Sequence, residues 1–261
     1  MKSQEVDDKN NFLYYYFMDT SIPYKKLCTQ FYNLSKPEAR LEEVSFYTNV
    51  LDKANPILEA MCGSGRLLIP LLRMGFDIEG VDNSSDMLES CRRRALETGL
   101  KPQLYLQNIT HLTLSRKYQA IIIAFGSFQL ITDRAQVLVT LQQLKKHLAA
   151  NGILILDIFT PESDEPEHDV LIRTVECADG SFIRLTSQLH KNNTDKVYTS
   201  KNHYEHIYNN DILETEDETL IIRWYSEDEL KSLLLTSGFS HVDIQPASFD
   251  QQQVTIFIAH V

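Results

Sequence analysis

The sequence predicts an α/β fold with a doubly wound, mostly parallel seven-stranded sheet and an antiparallel β insertion after strand five. Three observations support this prediction. From residue 56 to residue 160, short apolar runs alternate with helical segments, as in a parallel sheet covered on both faces. A glycine turn, Cys62-Gly63-Ser64-Gly65, connects the first apolar run to a helix. Between residues 161 and 224, the helical pattern gives way to strand-like alternation.

Residues 1–55 are predicted to form a helical, aromatic-rich N-terminal cap, in which the polar residues 1–11 are disordered or frayed. Ser35, followed by Pro37 at the first helical position, predicts the start of a helix. The cluster Tyr14-Tyr15-Tyr16 has two interpretations that the sequence leaves open. The three rings either pack in the core or form a lid over a bound ligand.

Residues 56–160 carry the alternating pattern of the core. Ile121-Ile122-Ile123 is a β-branched run of the kind found in strands buried on both faces. Asn151-Gly152 predicts a turn that leads into strand five. The predicted strands span residues 57–59, 76–81, 103–107, 118–125 and 153–159, and the helices between them span residues 67–74, 84–98 and 136–149.

Residues 161–224 are predicted to form the antiparallel insertion, because about 60 residues are too many for a structureless loop. Turn signals separate its strand-like segments, which are residues 182–190, 198–208 and 219–225. Residues 225–261 then return to the core. Ser226 and Glu229 predict a capping box for the final helix, and two closing strands follow near residues 241–245 and 254–260.

Composition and charge limit the function classes. The 261 residues carry a formal net charge of −11, which disfavours binding to the phosphate backbone of nucleic acids. The sequence has no apolar run long enough for a membrane span and no pattern of a secretory signal. The four cysteines and eight histidines show no metal-ligand spacing, so we expect a cytoplasmic protein with reduced thiols and no metal site. The sequence is compatible with a monomer or a homodimer.

Polar side chains stand at the ends of three successive predicted strands: Glu59, Asp82 and Asn108. In a doubly wound sheet, the carboxyl ends of the strands line one crevice, so these side chains are expected to face the same ligand. An acid after strand two is able to accept hydrogen bonds from both hydroxyls of a ribose, and a polar residue after strand three reads the edge of an adenine. The glycine turn lets the backbone approach that ligand closely.

This layout resembles the class I S-adenosylmethionine-dependent methyltransferases, from about Phe31 to the C-terminus. The family signature is acid-x-Gly-x-Gly-x-Gly, which Glu59, Gly63 and Gly65 match, while Met61 takes the place of the first glycine. The run Met-Cys-Gly-Ser-Gly-Arg resembles a subgroup of small uncharacterised bacterial members. The resemblance implies S-adenosyl-L-methionine as cofactor and methyl transfer to an O or N nucleophile of a small-molecule substrate.

The resemblance also implies which residues form the site. Met87 is expected beneath the adenine, and the amide oxygen of Asn108 is expected to pair with the adenine edge. The cofactor-binding residues would be Tyr32, Glu59, Met61, Cys62, Gly63, Gly65, Asp82, Asn83, Met87, Asn108, Ile109, Ala124, Phe125 and Gly126. Candidate contacts to the acceptor are Ser127, Phe128, Gln129, His203, Tyr204 and Arg223. No residue is identified as a catalytic base. The insertion, with the N-terminal aromatic segment, would be a lid that selects the acceptor.

Two other function classes are compatible with the pattern. A nicotinamide-dependent oxidoreductase would carry Gly-x-Gly-x-x-Gly, but the sixth position here is Leu68. A non-catalytic S-adenosylmethionine-binding protein would tolerate Met61 and Asn108, where the family usually has a glycine and an acid. Binding of S-adenosylmethionine, S-adenosylhomocysteine or NAD distinguishes a methyltransferase from a nicotinamide-dependent oxidoreductase. Formation of a methylated product distinguishes a methyltransferase from a non-catalytic binding protein.

Overall fold

A computed structural model describes residues 24–160, 168–249 and 252–261. The predictions for residues 1–11 and for the tyrosine cluster at residues 14–16 lie outside this part. The strands are β1 Ile57–Ala60, β2 Ile78–Asp82, β3 Leu104–Leu106, β4 Tyr118–Ile123, β5 Leu148–Ile158, β6 His168–Glu176, β7 Phe182–Asn192, β8 Val197–Tyr208, β9 Asp211–Arg223, β10 His241–Phe249 and β11 Gln252–His260. The α-helices are α1 Lys26–Ser35, α2 Leu41–Val50, α3 Leu68–Arg73, α4 Ser85–Glu97, α5 Arg134–His147 and α6 Glu227–Thr236.

The main sheet has seven strands in the order β10-β11-β5-β4-β1-β2-β3. The five strands from β5 to β3 run parallel, whereas β11 is antiparallel to both β5 and β10. The predicted fold class is therefore confirmed, including the antiparallel insertion described below. Because the five strands are parallel, the carboxyl ends of β1, β2, β4 and β5 meet at one edge of the sheet.

The sheet is buried on both faces because successive residues of its strands point to opposite sides. Ile121 belongs to the apolar cluster on one face, with Leu141 and Phe257. Ile122 belongs to the cluster on the other face, with Leu68. Within the described ranges, none of the helices is both long and apolar enough to cross a membrane.

The insertion forms a second, four-stranded antiparallel sheet in the order β6-β7-β8-β9. Strand β6 was not predicted, and the last strand was predicted to start near residue 219, whereas β9 begins at Asp211. Both are edge strands with exposed side chains such as Ile172 and Leu213, so they lack the alternation of burial that marks a half-buried strand.

Helix α1 packs on one face of the insertion sheet. Leu27 and Phe31 of α1 share an apolar cluster with Leu185 and Tyr204 of the sheet. The Glu216 carboxylate on β9 accepts hydrogen bonds from the backbone N–H groups of Leu27 and Cys28, both at 2.9 Å. A carboxylate is favourable there because the first N–H groups of a helix lack partners within the helix. Helix α1 is therefore packed against the insertion sheet.

Two local predictions were wrong. Ser35 ends α1 instead of starting a helix, because the Lys36 N–H donates to the Tyr32 carbonyl and closes the last turn, and Pro37 follows. Asn151-Gly152 lies within β5, at an irregularity of its pairing with β4, and forms no turn before the strand.

The capping box at the start of α6 is half formed. The Ser226 hydroxyl accepts from the Glu229 N–H at 3.3 Å. The Glu229 carboxylate binds Lys196 and Arg223 of the insertion at 2.9 and 3.2 Å. The side chain that would cap the helix therefore ties α6 to the second sheet.

We expect the Ile122→Ala variant to lose about 2–5 kcal/mol of unfolding free energy, because the deletion leaves a cavity between two packed layers. The matched control is Ile172→Ala, whose side chain is 66% exposed and whose loss should stay below about 1 kcal/mol. Urea unfolding followed by circular dichroism measures both. Equal losses in the two variants would contradict this account of the core.

Candidate functional site

A cavity of about 470 Å³ opens at the carboxyl edge of the parallel strands. The sheet edge forms its floor, and Tyr24 and Tyr32 from the α1 segment and Ile222 from β9 contribute to its walls. Fifteen of the predicted site residues line it: Tyr32, Glu59, Met61, Cys62, Gly63, Asp82, Asn83, Met87, Asn108, Ile109, Ala124, Phe125, Gly126, Ser127 and Gln129. The topology thus brings the ends of four separate strands to one place.

The glycine turn after β1 is fixed by its backbone to the end of β2. The Gly63 N–H donates to Asp82 Oδ2 at 2.8 Å, and the Cys62 N–H donates to the Val81 carbonyl at 3.1 Å. Met61 has a φ of 60°, a left-handed conformation that costs a non-glycine residue about 1–2 kcal/mol. This conformation explains why the family signature has glycine at that position.

Asp82 is the buried acid at the end of β2. Its Oδ2 accepts from Gly63, as described, and its Oδ1 accepts from the Ser84 N–H at 2.9 Å. Burial raises the pKa of Asp82, and these backbone hydrogen bonds oppose the increase. Each oxygen keeps a lone pair after these contacts, so the carboxylate is able to accept two further hydrogen bonds from a ligand.

Glu59 is the buried acid at the end of β1. Its Oε2 has no hydrogen-bond partner among the described residues, although the side chain is only 4% exposed. Burial raises the pKa of Glu59 to about 8; the Arg66 charge opposes this shift, while the charges of Glu43 and Asp82 add to it. A buried carboxyl oxygen that lacks a partner is suited to a cationic or hydrogen-bond-donating ligand.

Arg66 forms a buried, bidentate ion pair with Glu43, with N–O distances of 2.7 and 2.6 Å. Its guanidinium carbon lies 4.2 Å from the centroid of the Phe125 ring, and Lys36 Nζ lies 4.1 Å from the same centroid. Arg66, Lys36 and Tyr24 line the cavity but were not predicted to do so. For Arg66 a sequence signal existed, because it directly follows the glycine turn.

The loop after β4 contains two consecutive residues with left-handed φ angles, Phe125 at 58° and Gly126 at 66°. Their N–H groups donate to the buried Asp157 carboxylate on β5 at 2.8 and 3.0 Å. Burial raises the pKa of Asp157 to about 7, the Glu43 charge adds to the shift, and the two N–H groups oppose it. Gln129 closes the loop by hydrogen bonding to both backbone groups of Phe159.

The amide oxygen of Asn108 is not available for the predicted contact with an adenine edge. Its Oδ1 already accepts hydrogen bonds from the backbone N–H and the hydroxyl of Thr110, both at 2.9 Å. These bonds start the short 3-10 turn Ile109–His111. The amide NH₂ group, a donor, is therefore the part of this side chain that is available to a ligand.

Five predicted site residues do not line the cavity: Gly65, Phe128, His203, Tyr204 and Arg223. A Cβ at Gly65 would lie 2.6 Å from Cys91 Sγ, so this glycine permits close packing against α4. Phe128 is buried against Tyr225.

The three insertion residues of this group have partners elsewhere. Tyr204 donates to Cys28 Sγ at 3.2 Å beneath α1. His203 is paired with Asp217 at 2.7 Å on the other face of the sheet. The Arg223 side chain binds Glu229, and only its carbonyl reaches the site, where it accepts from Gln129.

Comparisons with known proteins agree with this geometry. Residues 57–152 match the model of a methyltransferase domain family. A putative methyltransferase of Geobacillus sp. (strain WCH70) is 28% identical over 105 residues, which are 40% of this chain and 42% of that protein. A dTDP-3-amino-3,6-dideoxy-alpha-D-glucopyranose N,N-dimethyltransferase of Streptomyces fradiae is 26% identical over 135 residues, 51% of each chain. The matched region thus spans about half or less of these curated relatives.

The fold extends this similarity beyond the matched region. The crystal structure of an S-adenosylmethionine-dependent methyltransferase from Clostridium acetobutylicum ATCC 824 superposes with a TM-score of 0.68 at 17% identity, covering 98% of this chain and 99% of that one. The narrower resemblance to the subgroup with Met-Cys-Gly-Ser-Gly-Arg stays a prediction. Residues 57–152 are therefore similar to a methyltransferase domain, and the fold is that of an S-adenosylmethionine-dependent methyltransferase.

Proposed function

We propose that this chain transfers a methyl group from S-adenosyl-L-methionine to an N or O nucleophile of a small-molecule acceptor. One observation carries the proposal. Asp82, with a lone pair on each oxygen, and Glu59, with an unpartnered Oε2, present buried carboxylates to one cavity from neighbouring strand ends. The two acids suit the ribose hydroxyls and the ammonium group of this cofactor.

The described residues fit the adenosine part and the ammonium group of the cofactor. Asp82 would bind the ribose hydroxyls, and the apolar side chains of Met87 and Ile109 would contact the adenine. The Asn108 NH₂ would donate to a ring nitrogen, and Glu59 would bind the ammonium group. When bound, the cofactor supplies a methyl group on a positively charged sulfur, already activated for in-line displacement. The protein's task is then to hold the acceptor in line with that methyl group.

The proposed acceptor region lies between the loop after β4 and the insertion. Ser127 of the loop, Phe159 after β5 and Ile222 of β9 line this part of the cavity, and Gln252 at the start of β11 joins them. Gln129 links the loop to β9 through the Arg223 carbonyl at 3.1 Å. These contacts support the proposal that residues 161–224, with the N-terminal cap of residues 1–55, form the substrate lid over the core of residues 56–160 and 225–261.

The surroundings of the site and the surface support three further proposals. Leu68 is fully buried at the start of α3, which disfavours the nicotinamide alternative because the dinucleotide-binding pattern has a glycine there for close packing of the helix on the strand. The net charge of −11 disfavours a nucleic-acid partner. All four cysteines are free thiols, which supports a cytoplasmic location.

The Asp82→Asn variant should bind S-adenosylhomocysteine about 100-fold more weakly than the wild type, because one charged acceptor of two ribose hydroxyls is replaced by a neutral amide. Isothermal calorimetry with S-adenosylmethionine, S-adenosylhomocysteine and NAD measures this. The control is Glu79→Gln. Glu79 is a buried carboxylate on the same strand; it accepts a hydrogen bond from the Tyr118 hydroxyl at 2.7 Å and does not line the cavity.

A wild type that binds NAD but neither sulfur compound would refute the proposed cofactor. Binding without product from a library of amines and alcohols would support the non-catalytic alternative.

Affinity for S-adenosylmethionine should rise as the pH increases towards 8, because the ammonium group favours ionised Glu59 and binding releases its proton. Glu59→Gln should weaken binding and flatten this dependence. Asp157 titrates in the same pH range in the wild type and in the variant, so the difference between their binding curves isolates the contribution of Glu59.

The raised pKa of Glu59 also makes folding stability fall as pH rises from 4.5 to 8, because the folded protein keeps a proton that the unfolded chain has lost. An identical pH dependence of binding in the variant would contradict the assignment.

Ile222→Ala should raise the KM for the acceptor by about tenfold and leave the cofactor Kd unchanged, since the side chain lines the proposed acceptor region. The adjacent Ile221→Ala is the matched control, because Ile221 points to the other face of the sheet and is 44% exposed. Steady-state kinetics with the identified acceptor and calorimetry with the cofactor give both quantities. A similar KM in the two variants would argue against the insertion as the substrate lid.

A further inference from the structure

Two consecutive N–H groups of the loop after β4 are bound by one buried carboxylate. Two successive N–H groups, of Phe125 and Gly126, converge on Asp157 from the neighbouring strand at 2.8 and 3.0 Å. Asp157 is 1% exposed, so water does not compete for these hydrogen bonds. Consecutive N–H groups in a turn form a concave site that favours an anion, and here the chain itself supplies the anion.

This conformation needs such a partner. Phe125 has a left-handed φ, which a non-glycine residue keeps only when its surroundings determine it. A second restraint comes from packing, because a Cβ at Gly126 would lie 2.5 Å from the Phe159 ring. Gln129 is 1% exposed and adds hydrogen bonds to both backbone groups of Phe159. Three independent contacts therefore bind the loop to the end of β5. Of these, only the Asp157 carboxylate binds the N–H groups of Phe125 and Gly126.

The geometry of this loop affects one end of the cavity more than the other. Phe125, Gly126 and Ser127 line the cavity, whereas Asp157 lies behind them and does not. The adenosine end is built separately, by Asp82 and the glycine turn, and Phe125 and Gly126, which were predicted to bind the cofactor, would contact it beside the reactive methyl group. A shift of the loop would therefore change the alignment of the acceptor while the adenosine contacts persist.

We infer that Asp157 is a positioning residue for methyl transfer: its two hydrogen bonds fix the loop against which the acceptor is aligned with the methyl group. This inference rests on the proposed function. In the Asp157→Asn variant, one carboxylate oxygen becomes an NH₂ group that faces a backbone N–H, so one of the two hydrogen bonds is lost.

The test separates alignment from binding. Asp157→Asn should lower kcat by about 10- to 100-fold while the Kd for S-adenosylhomocysteine changes by less than about threefold. Glu79→Gln is the matched control, because Glu79 is also a buried, hydrogen-bonded carboxylate of the sheet but does not line the cavity. That control should leave both quantities unchanged. An unchanged kcat in Asp157→Asn, or a loss of affinity parallel to the loss of kcat, would overturn the inference.

Amide hydrogen exchange gives a readout that does not depend on turnover. In Asp157→Asn, the amides of Phe125 and Gly126 should lose protection, while those of Ile121 and Ile122 in β4 should keep it. Unchanged protection at Phe125 and Gly126 would overturn the inference even if the enzyme were less active. A wild type that does not bind the cofactor would instead refute the proposed function, and the exchange result would still show whether Asp157 fixes the loop.

A second variant covers the case in which Asp157→Asn does not fold. Gly126→Ala keeps the carboxylate but displaces the loop, because the new methyl group would meet the Phe159 ring. It should lower kcat to a similar extent, with the Ile121 and Ile122 amides still protected. Full activity in Gly126→Ala would show that the loop position does not set the rate, and would overturn the inference.

Discussion

The carboxylate of Asp82 joins the two backbone segments on which the site depends. One oxygen binds the Gly63 N–H in the turn after β1, and the other binds the Ser84 N–H just before α4. The carboxylate thus keeps the turn, the end of β2 and the start of α4 in one arrangement. Because this acid is buried, losing either hydrogen bond would leave an uncompensated charge in a region of low dielectric. The same oxygens are the acceptors that the proposed cofactor requires.

The site contains more buried acidic side chains than basic ones. Glu59, Glu43 and Asp157 surround Arg66, and each carboxylate is less than 5% exposed. Arg66 is paired with Glu43 at 2.6 Å, so its charge compensates only one of them fully. Burial therefore keeps Glu59 and Asp157 protonated to higher pH than usual. Such an arrangement is costly for folding and suits the ammonium and sulfonium groups of the proposed cofactor.

Much of the fold was predictable because local patterns identify strands and helices. The core strands and the helix after Ser84 follow from apolar runs, glycine turns and a capping residue. Edge strand β6 was missed because its exposed face gives no alternation of burial. The acids at the strand ends were predictable for the same local reason, since a parallel sheet brings all carboxyl ends to one edge. Arg66 was missed although it directly follows the glycine turn, and only the structure shows its ion pair with Glu43, 23 residues away. Asp157 was not assigned, because the N–H groups that it binds lie about 32 residues away in the sequence.

The sequence by itself determined the type of sheet, the glycine turn and the positions of Glu59 and Asp82 at its carboxyl edge. These features depend on residue order and on the alternation of side chains along a strand. Only the tertiary structure decided which face of the insertion sheet is covered. Tyr204 was a candidate for the acceptor site, but it packs beneath α1, and Ile222 faces the cavity instead. Alternation shows which residues share a face of a strand, but the element that covers that face is set by long-range packing.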